Sequence, residues 1–484
     1  MCGFIGILAP PGVEVFPQIY SGLLAIQHRG QDAAGALTWS GKFHYHKARG
    51  LVRDVFTDQQ ALLLRGHAGI GHVRYPTVGG GGIEDAQPFQ IAYPFGVGMA
   101  HNGNVTNFEE IKRELSRDSH WHVNSSCDLE GILNIFGDGL ARQAIGKLGA
   151  EHVFRAVEDV FARVKGAYSV VGLIAGEGLY AFRDPYGIKP IIVGSRVDDQ
   201  GRTHWCVASE SVLMDLLDYH QTFDLEAGEA LFIDMQGRMT RKKLADKPHS
   251  PCLFEWVYFA RPDSFLDKVS VYRTRLRLGE SMGDIWRATG WQADVIIPVP
   301  ESATTSAMAM ARELQMKYRE GLVKNRYIGR TFIMASNRAR QNSIRHKLNT
   351  IQLEFEGKDV LLVDDSIVRG NTSRQIVDLA RRAGARKVYF ASVSPPLRYP
   401  CVYGIDMSTK NEFIAKDRSA EEIAREIGAD GVVYQTLENL VAAVREGNEN
   451  ITETCNACFT GHYPTGDVTE EQLAGIEAER LVER

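Results

Sequence analysis

Cysteine is scarce in this chain, with seven residues in 484. That is too few for a disulfide framework, so a reducing compartment, the cytoplasm, is expected. No apolar run is long enough to span a bilayer, and no charged segment followed by an apolar stretch opens the chain. Neither a membrane span nor a signal peptide is therefore expected. An excess of one charge is missing too. A formal net charge of -5 gives no general attraction to nucleic acid or to anionic membranes, and neither partner is expected. Internal repeats and low-complexity tracts are absent. The remaining composition, 44% hydrophobic and 24% charged, is that of an ordered globular protein. The length exceeds what one core supports, so at least two domains are expected.

What is present begins at the first residues, MCGFIGI. Gly3 and the apolar run behind it read as a buried strand. Were Met1 removed, Cys2 would carry a thiol and a free α-amine on one residue. An α-amine titrates near pH ~7.7–8.0, so nucleophile and base could be the same residue without a histidine. The competing reading is a small hydrophobe opening a strand.

Two patterns divide the chain. Up to about residue 240 short apolar runs alternate with Gly, Asp and Pro, as in "AYSVVGLIAGEGLYAFRDPYGIKPIIVGS", which predicts packed antiparallel sheets. "VTNFEEIKREL" predicts a helix, with Thr106 and Glu109 spaced as a capping box. The polar patch "LADKPHSP" (244–251) marks a boundary. Beyond it strands and helices alternate through "YRTRLRLGESMGDIWRAT", "ADVIIPVP", "TTSAMAMARELQM", "KDVLLVDD", "SRQIVDLARRAGA" and "RKVYFASVSPP", which implies a parallel sheet. The division is 1–245, 246–440 and a polar tail, 441–484, bearing a CxxC. The fold class is thus α+β followed by α/β.

The most specific stretch is VLLVDDSIVRGNTS (360–373). A β-branched strand delivers two carboxylates, Asp364 and Asp365, at its C-terminal end. The turn Arg369-Gly370-Asn371-Thr372-Ser373 then offers backbone N–H groups, hydroxyls and a helix N-terminus, which suit a phosphomonoester. The acid pair suits ribose hydroxyls or a divalent ion at the carboxyl edge of a sheet.

This stretch resembles the signature of type I phosphoribosyltransferases for 5-phosphoribosyl 1-pyrophosphate (PRPP). The resemblance implies that Asp364, Asp365, Ser366, Arg369, Gly370, Asn371, Thr372 and Ser373 hold PRPP. It further implies that "IIPVPESATTSA" (296–307) takes the pyrophosphate, with Ser302 near one Mg²⁺ per subunit that Asp364 and Asp365 also approach. Lys324, Arg326, Arg330, Arg338, Arg340, Arg345 and Lys347, a run with no acid, then read as a lid that excludes water from an activated sugar; of these, Lys324 and Arg330 are expected to contact PRPP.

The N-terminal half resembles the N-terminal-nucleophile (Ntn) glutaminase domain of glutamine amidotransferases. The resemblance rests on MCGFIGI, "IQHRGQDAAG" (26–35), "GHVRYPT" (71–77), "AHNGNVTN" (100–107) and "SSCDLE" (125–130). It implies an αββα Ntn-hydrolase fold, a processed Cys2 that attacks the glutamine amide, and an oxyanion hole from Asn102 and the N–H of Gly103. Two such donors can be worth ~3–4 kcal/mol each. Arg74 and Asp128 match the anchors for the glutamine α-carboxylate and α-amine, and His28 and Arg29 support the pocket. Joined in one chain, the halves imply that glutamine, PRPP and water give 5-phosphoribosylamine, glutamate and pyrophosphate, the committed step of purine synthesis, with ammonia passing internally. Such enzymes form dimers or tetramers and are inhibited by purine nucleotides, so both are expected.

One branch of these two-part enzymes carries a [4Fe-4S] cluster on four cysteines, and all four positions are cysteine here: Cys252, Cys401, Cys455 and Cys458. Cluster-bearing members have a cleaved propeptide before the nucleophile, whereas Cys2 follows Met1 directly. A cluster-free set of buried thiols stays open as the alternative. Cys127 and Cys206 are left as packing residues. Two rival functions are an amidotransferase acting on another acceptor and a regulatory PRPP-binding protein. The first lacks a sugar-isomerase or ATP-pyrophosphatase sequence, and the second leaves Cys2, Arg74, Asn102 and Asp128 without a role.

Overall fold

The computed structural model describes residues 1–75, 82–119, 121–144, 146–325, 348–405, 407 and 412–475. Two antiparallel sheets come first. One has seven strands, in spatial order His220–Asp224, Ile192–Val197, Thr203–Ala208, Gly3–Leu8, Ala68–Arg74, Ala33–Trp39 and Phe43–Arg49. The other has six: Met239–Lys243, Glu229–Asp234, Gly178–Arg183, Gly166–Ile174, Val97–Val105 and Phe89–Ile91. Their facing sides share one apolar core, where Phe4, Leu37 and Ile70 meet Ala100, Val171 and Leu231. The outer face of the six-stranded sheet is covered by the helices Leu129–Ala141 and Ala150–Arg163. The helix Phe16–Ala25 covers the seven-stranded one. The layering is helix, sheet, sheet, helix, as the Ntn resemblance implied.

The inner strands Gly3–Leu8, Ala68–Arg74, Val97–Val105, Gly166–Ile174 and Gly178–Arg183 are buried throughout, so their apolar runs are continuous rather than alternating. Gly3–Leu8 is the middle strand, paired antiparallel on both sides, with Gly3 opposite Val73. The first catalytic candidate therefore starts at the centre of a sheet, the least mobile place available.

The second half holds a five-stranded sheet, in spatial order Lys317–Tyr318, Val295–Pro298, Asp359–Asp364, Lys387–Ser392 and Gly431–Tyr434, every neighbouring pair parallel. The second strand in sequence lies to one side of the first and the third to the other. The order reverses between Val295–Pro298 and Asp359–Asp364, and at such a switch point the loops diverge and leave a crevice beyond the strand ends. The DD pair and the loop containing Ser302 leave the sheet at that crevice.

One local expectation fails. The helix Phe108–Glu114 forms, but Thr106 and Glu109 make no capping box. Thr106 Oγ1 instead donates to Asp467 Oδ2 at 2.8 Å. The residue at the cap, Asn107, spends its side chain on Lys165 N and Arg163 O. A distant partner outcompetes the local one.

Candidate active site

Cys2 is buried beside the start of the central strand, its thiol 3.6 Å from the carbonyl oxygen of Tyr75. Its own carbonyl accepts from Arg29 Nε at 3.1 Å. Arg29 is 1% exposed, and a guanidinium there must be paired or it costs several kcal/mol. It is paired twice, with Glu210 and with Glu255 at 2.9 and 3.0 Å. Glu210 also meets His28 Nε2 at 2.9 Å, the N–H of Arg261 at 3.1 Å and Ser264 Oγ at 2.9 Å. Burial alone would raise the Glu210 carboxyl, but His28, Arg29 and these donors outweigh it and hold it far below the carboxylate range.

Across the sheet interface stands Asn102, fully buried, with neither amide atom hydrogen-bonded among the described residues. Each buried polar atom left without a partner costs roughly 1–3 kcal/mol, so such a side chain is an empty acceptor-and-donor seat. Gly103 follows with φ of +153°, and a Cβ there would sit 1.9 Å from Ala167 O. Only glycine fits.

Arg74 ends the neighbouring strand and lies 3.4 Å from Asp85, which also accepts from Ser126 N and Oγ at 2.9 and 2.8 Å. Asp128, at the head of the helix Leu129–Ala141, accepts from Val105 N at 2.7 Å and stands 3.3 Å from His101. Burial opposes its charge, yet His101 and the Val105 N–H prevail and lower its pKa. Gln87 holds His101 on both sides, at its Nδ1 and its N–H. Asp85, Gln87, His101, Glu210 and Glu255 are absent from the sequence-derived set. His101 had a signal, lying inside "AHNGN"; the two glutamates lie far along the chain from Arg29 and had none.

In the second half Asp364 and Asp365 are buried; burial raises both carboxyls, joined at Asp364 by repulsion from Asp365 and opposed at Asp365 by Ser302, Ser366 and Arg275. Ser302 Oγ hydrogen-bonds Asp365, and Ser366 Oγ donates to it at 2.6 Å. Gly370 takes φ of +78°, and a Cβ would meet Ile414 at 2.3 Å. The helix Asn371–Arg382 starts there, so Thr372 and Ser373 lie in its first turn, where N–H groups have no intrahelical partner. Arg369 pairs with Glu412 at 3.1 Å and Lys324 with Glu301 at 3.4 Å. Arg330 and the rest of the basic run lie outside the described residues.

A cavity of about 560 Å³ is lined by Phe254, Tyr258, Phe259, Ser302 and the whole stretch Asp364–Ser366 with 368–373. A second, about 380 Å³, is lined by Met1, His28, Arg29, Tyr75, Glu301, Lys324 and again by Tyr258, Phe259, Pro300 and Ser302. The two share a wall.

The thiols of Cys252, Cys401, Cys455 and Cys458 are buried and free. Cys252 and Cys455 pair as a parallel backbone bridge. The fully buried ammonium of Lys189, 2.9 Å from Met1 Sδ, lies among them; desolvation disfavours its charge, but Cys252, Glu255, Cys401 and Cys455 raise its pKa. Burial and the neighbouring charges push Cys252 up to about 11, and burial with the neighbouring thiols raises Cys455 and Cys458 well above the ordinary thiol value. Among the described residues no three His, Cys, Asp or Glu side chains converge on a point as ligands of one metal ion. None of the described helices is long and apolar enough to cross a membrane.

These features define a class: a glutamine-hydrolysing unit and a phosphoribosyl-transferring unit in one chain. Residues 81–215 match the glutamine amidotransferase domain model and 276–397 the phosphoribosyl transferase domain model. Amidophosphoribosyltransferase of Pasteurella multocida is 47% identical over 487 residues, covering 99% of this chain and 96% of that protein. The Escherichia coli relative of that name is 46% identical, with 99% and 96% covered, and that of Methanocaldococcus jannaschii 41%, with 99% and 100%. Among solved structures, the PRPP amidotransferase of Bacillus subtilis complexed with ADP and GMP superposes with a TM-score of 0.85 at 35% identity, covering 97% of this chain and 98% of that one. A second, described as the allosteric regulatory enzyme of purine biosynthesis, gives 0.86 at 35%, with 99% of both covered. The chain belongs to the amidophosphoribosyltransferase family.

Proposed function

We propose that this enzyme converts glutamine, PRPP and water to 5-phosphoribosylamine, glutamate and pyrophosphate, the first committed step of purine synthesis. The observation that carries the reading is the shared wall: Tyr258, Phe259, Pro300 and Ser302 line both the cavity at the chain's first residue and the cavity at the DD loop. Two unrelated activities need no such adjacency; a transferred ammonia does, because bulk water would protonate it.

In this reading Met1 is removed and the Cys2 α-amine takes the thiol proton. The sulfur forms a bond to the side-chain amide carbon of glutamine, and as the carbon–nitrogen bond breaks the Cys2 α-ammonium passes that proton to the departing nitrogen, which leaves as ammonia. Asn102 Nδ2 and the Gly103 N–H receive the oxyanion, which gives the unpartnered Asn102 amide its partner. Arg74 and Asp128 hold the α-carboxylate and α-amine, with Asp85 and His101 orienting them, while His28 and Arg29 fix the Cys2 backbone. Water then hydrolyses the thioester to glutamate. Asp364, Asp365 and Ser366 hold the ribose, and the turn Arg369–Ser373 the 5-phosphate. Lys324 and the basic run through Arg330 close over the diphosphate. Ammonia attacks C1 as pyrophosphate leaves.

Two buried, mutually repelling carboxyls fit a cation. Asp364, Asp365 and Ser302 would hold Mg²⁺, which when bound neutralises the departing pyrophosphate. Four buried free thiols around a buried ammonium fit an anionic cluster, and four irons need thiols spread wider than one ion does. Cys252, Cys401, Cys455 and Cys458 would hold [4Fe-4S], which supplies a structural crosslink here, since neither half-reaction moves electrons. Purine nucleotides, like the ADP and GMP of the Bacillus subtilis complex, would compete at the phosphate turn. A cytoplasmic homodimer or homotetramer of units 1–245, 246–440 and 441–484 completes the proposal.

Glutamine-dependent release of pyrophosphate from PRPP tests the reaction; its absence from pure, magnesium-supplied enzyme overturns it. A colourless, iron-free and fully active anaerobic preparation removes the cluster.

A further inference from the structure

The strand that carries Asn102 and Gly103 meets the second half of the molecule at the segment 401–405. Asn104 Nδ2 donates to Val402 O at 2.9 Å, both groups buried. Next to it Gly404, with φ of +92°, packs against the oxyanion glycine itself: a Cβ on Gly404 would lie 2.6 Å from Gly103 O and 2.7 Å from its carbonyl carbon. The segment that makes both contacts starts at Cys401, whose sulfur accepts from Tyr403 N at 3.3 Å. It is pinned in turn by the tail, through Tyr463 OH to Pro400 O at 2.7 Å and Cys458 O to the N–H of Arg398 at 3.0 Å.

We infer that Asn104 and Gly404 form a brace by which the thiol-bearing loop 401–405 positions the oxyanion-hole amide of Gly103. This rests on the glutaminase reading of Cys2 given above. Asn104 touches no reacting atom in that reading; it is a positioning residue. Gly103 cannot be stiffened by a side chain of its own, because its conformation and Ala167 forbid one. Its setting therefore depends on neighbours: Tyr168 and Ala167 lie against Gly103, and Gly404 lies against its Cα and carbonyl, so the brace reaches the N–H through the Gly103 Cα. An oxyanion donor works only when aimed beforehand, and a shift of about 1 Å can cost 10²-fold in rate. The four-thiol site and glutamine hydrolysis are thus tied mechanically, without any electron transfer between them.

The experiment compares Asn104→Ala and Gly404→Ala with the parent full-length enzyme. Activity is followed with glutamine and with ammonia as nitrogen source, and amide hydrogen exchange is followed over residues 101–105. We expect glutamine-dependent kcat to fall about tenfold or more with KM for glutamine within about twofold. Ammonia-dependent synthesis stays at the parental rate, and exchange at 101–105 quickens in both variants. Visible absorbance read in parallel stays parental in Asn104→Ala and Gly404→Ala, which separates the brace from loss of any cluster. An equal fall with both nitrogen sources, a raised KM at unchanged kcat, or unaltered exchange at 101–105 overturns the brace. Failure of the underlying reading looks different: Cys2→Ala would go on consuming glutamine.

Discussion

The two ends of the molecule solve opposite electrostatic problems. Around Cys2 every buried charge has a counter-charge: Arg29 has two carboxylates, Glu210 has four donors, and Asp128 has His101 and a backbone N–H. Asn102 adds a neutral deficit, an amide with no partner among the described residues. At the switch point of the parallel sheet two neighbouring carboxyls are buried, and burial raises both pKa values although Ser302, Ser366 and Arg275 oppose it at Asp365. In the reading proposed above, the first site is charge-balanced before its substrate arrives and awaits an oxyanion, whereas the second is completed by positive charge brought with the ligand.

Breaking the first site at its nucleophile has the largest expected effect. Cys2→Ala loses glutamine-dependent activity by about 10⁴-fold or more, while ammonia-dependent synthesis persists. Measuring both rates on one preparation decides it. Filling the neutral deficit comes next. Asn102→Ala lowers glutamine-dependent kcat about 10²–10³-fold with little change in KM, checked by steady-state kinetics. Third is the charge balance behind Cys2. Glu255→Gln leaves the Arg29 guanidinium half-paired in a dry site and destabilises the fold by about 3–5 kcal/mol, read from denaturant midpoints at neutral pH.

The smallest effect sharpens the contrast through its sign. Glu210, depressed in the folded state, lends stability above its unfolded value near ~4.3 that is lost as pH falls further. Asp364 and Asp365, raised in the folded state, lend stability that is complete below ~3.9 and drains away as pH rises through their folded values. Without ligand at pH 7, Asp364→Asn therefore stabilises the enzyme by on the order of 1 kcal/mol, whereas Glu210→Gln destabilises it. Thermal midpoints from pH 4 to 8 should move in opposite directions for the two variants.

What was legible in the sequence follows the same division. The phosphate site is contiguous: fourteen residues hold strand, acids, turn and helix start, and the structure keeps that order in space. The strand-helix alternation after residue 250 was equally readable, because each element carries its own period. The glutaminase site is assembled from five separated stretches, readable through their resemblance to a known family, but its supporting charges were not. Arg29 meets Glu210 and Glu255 only through the fold, and nothing adjacent in sequence announces either. Thr106 and Glu109 show the converse error: a good local signal was overruled when Asp467, from the tail, reached Thr106 first.

That tail has one more consequence. Cys455 pairs with Cys252 along the backbone, Asp467 with Thr106, and Tyr463 with Pro400, so one short stretch laces together parts of the molecule that lie far apart in sequence. Cutting it away would loosen anchor points in both halves at once.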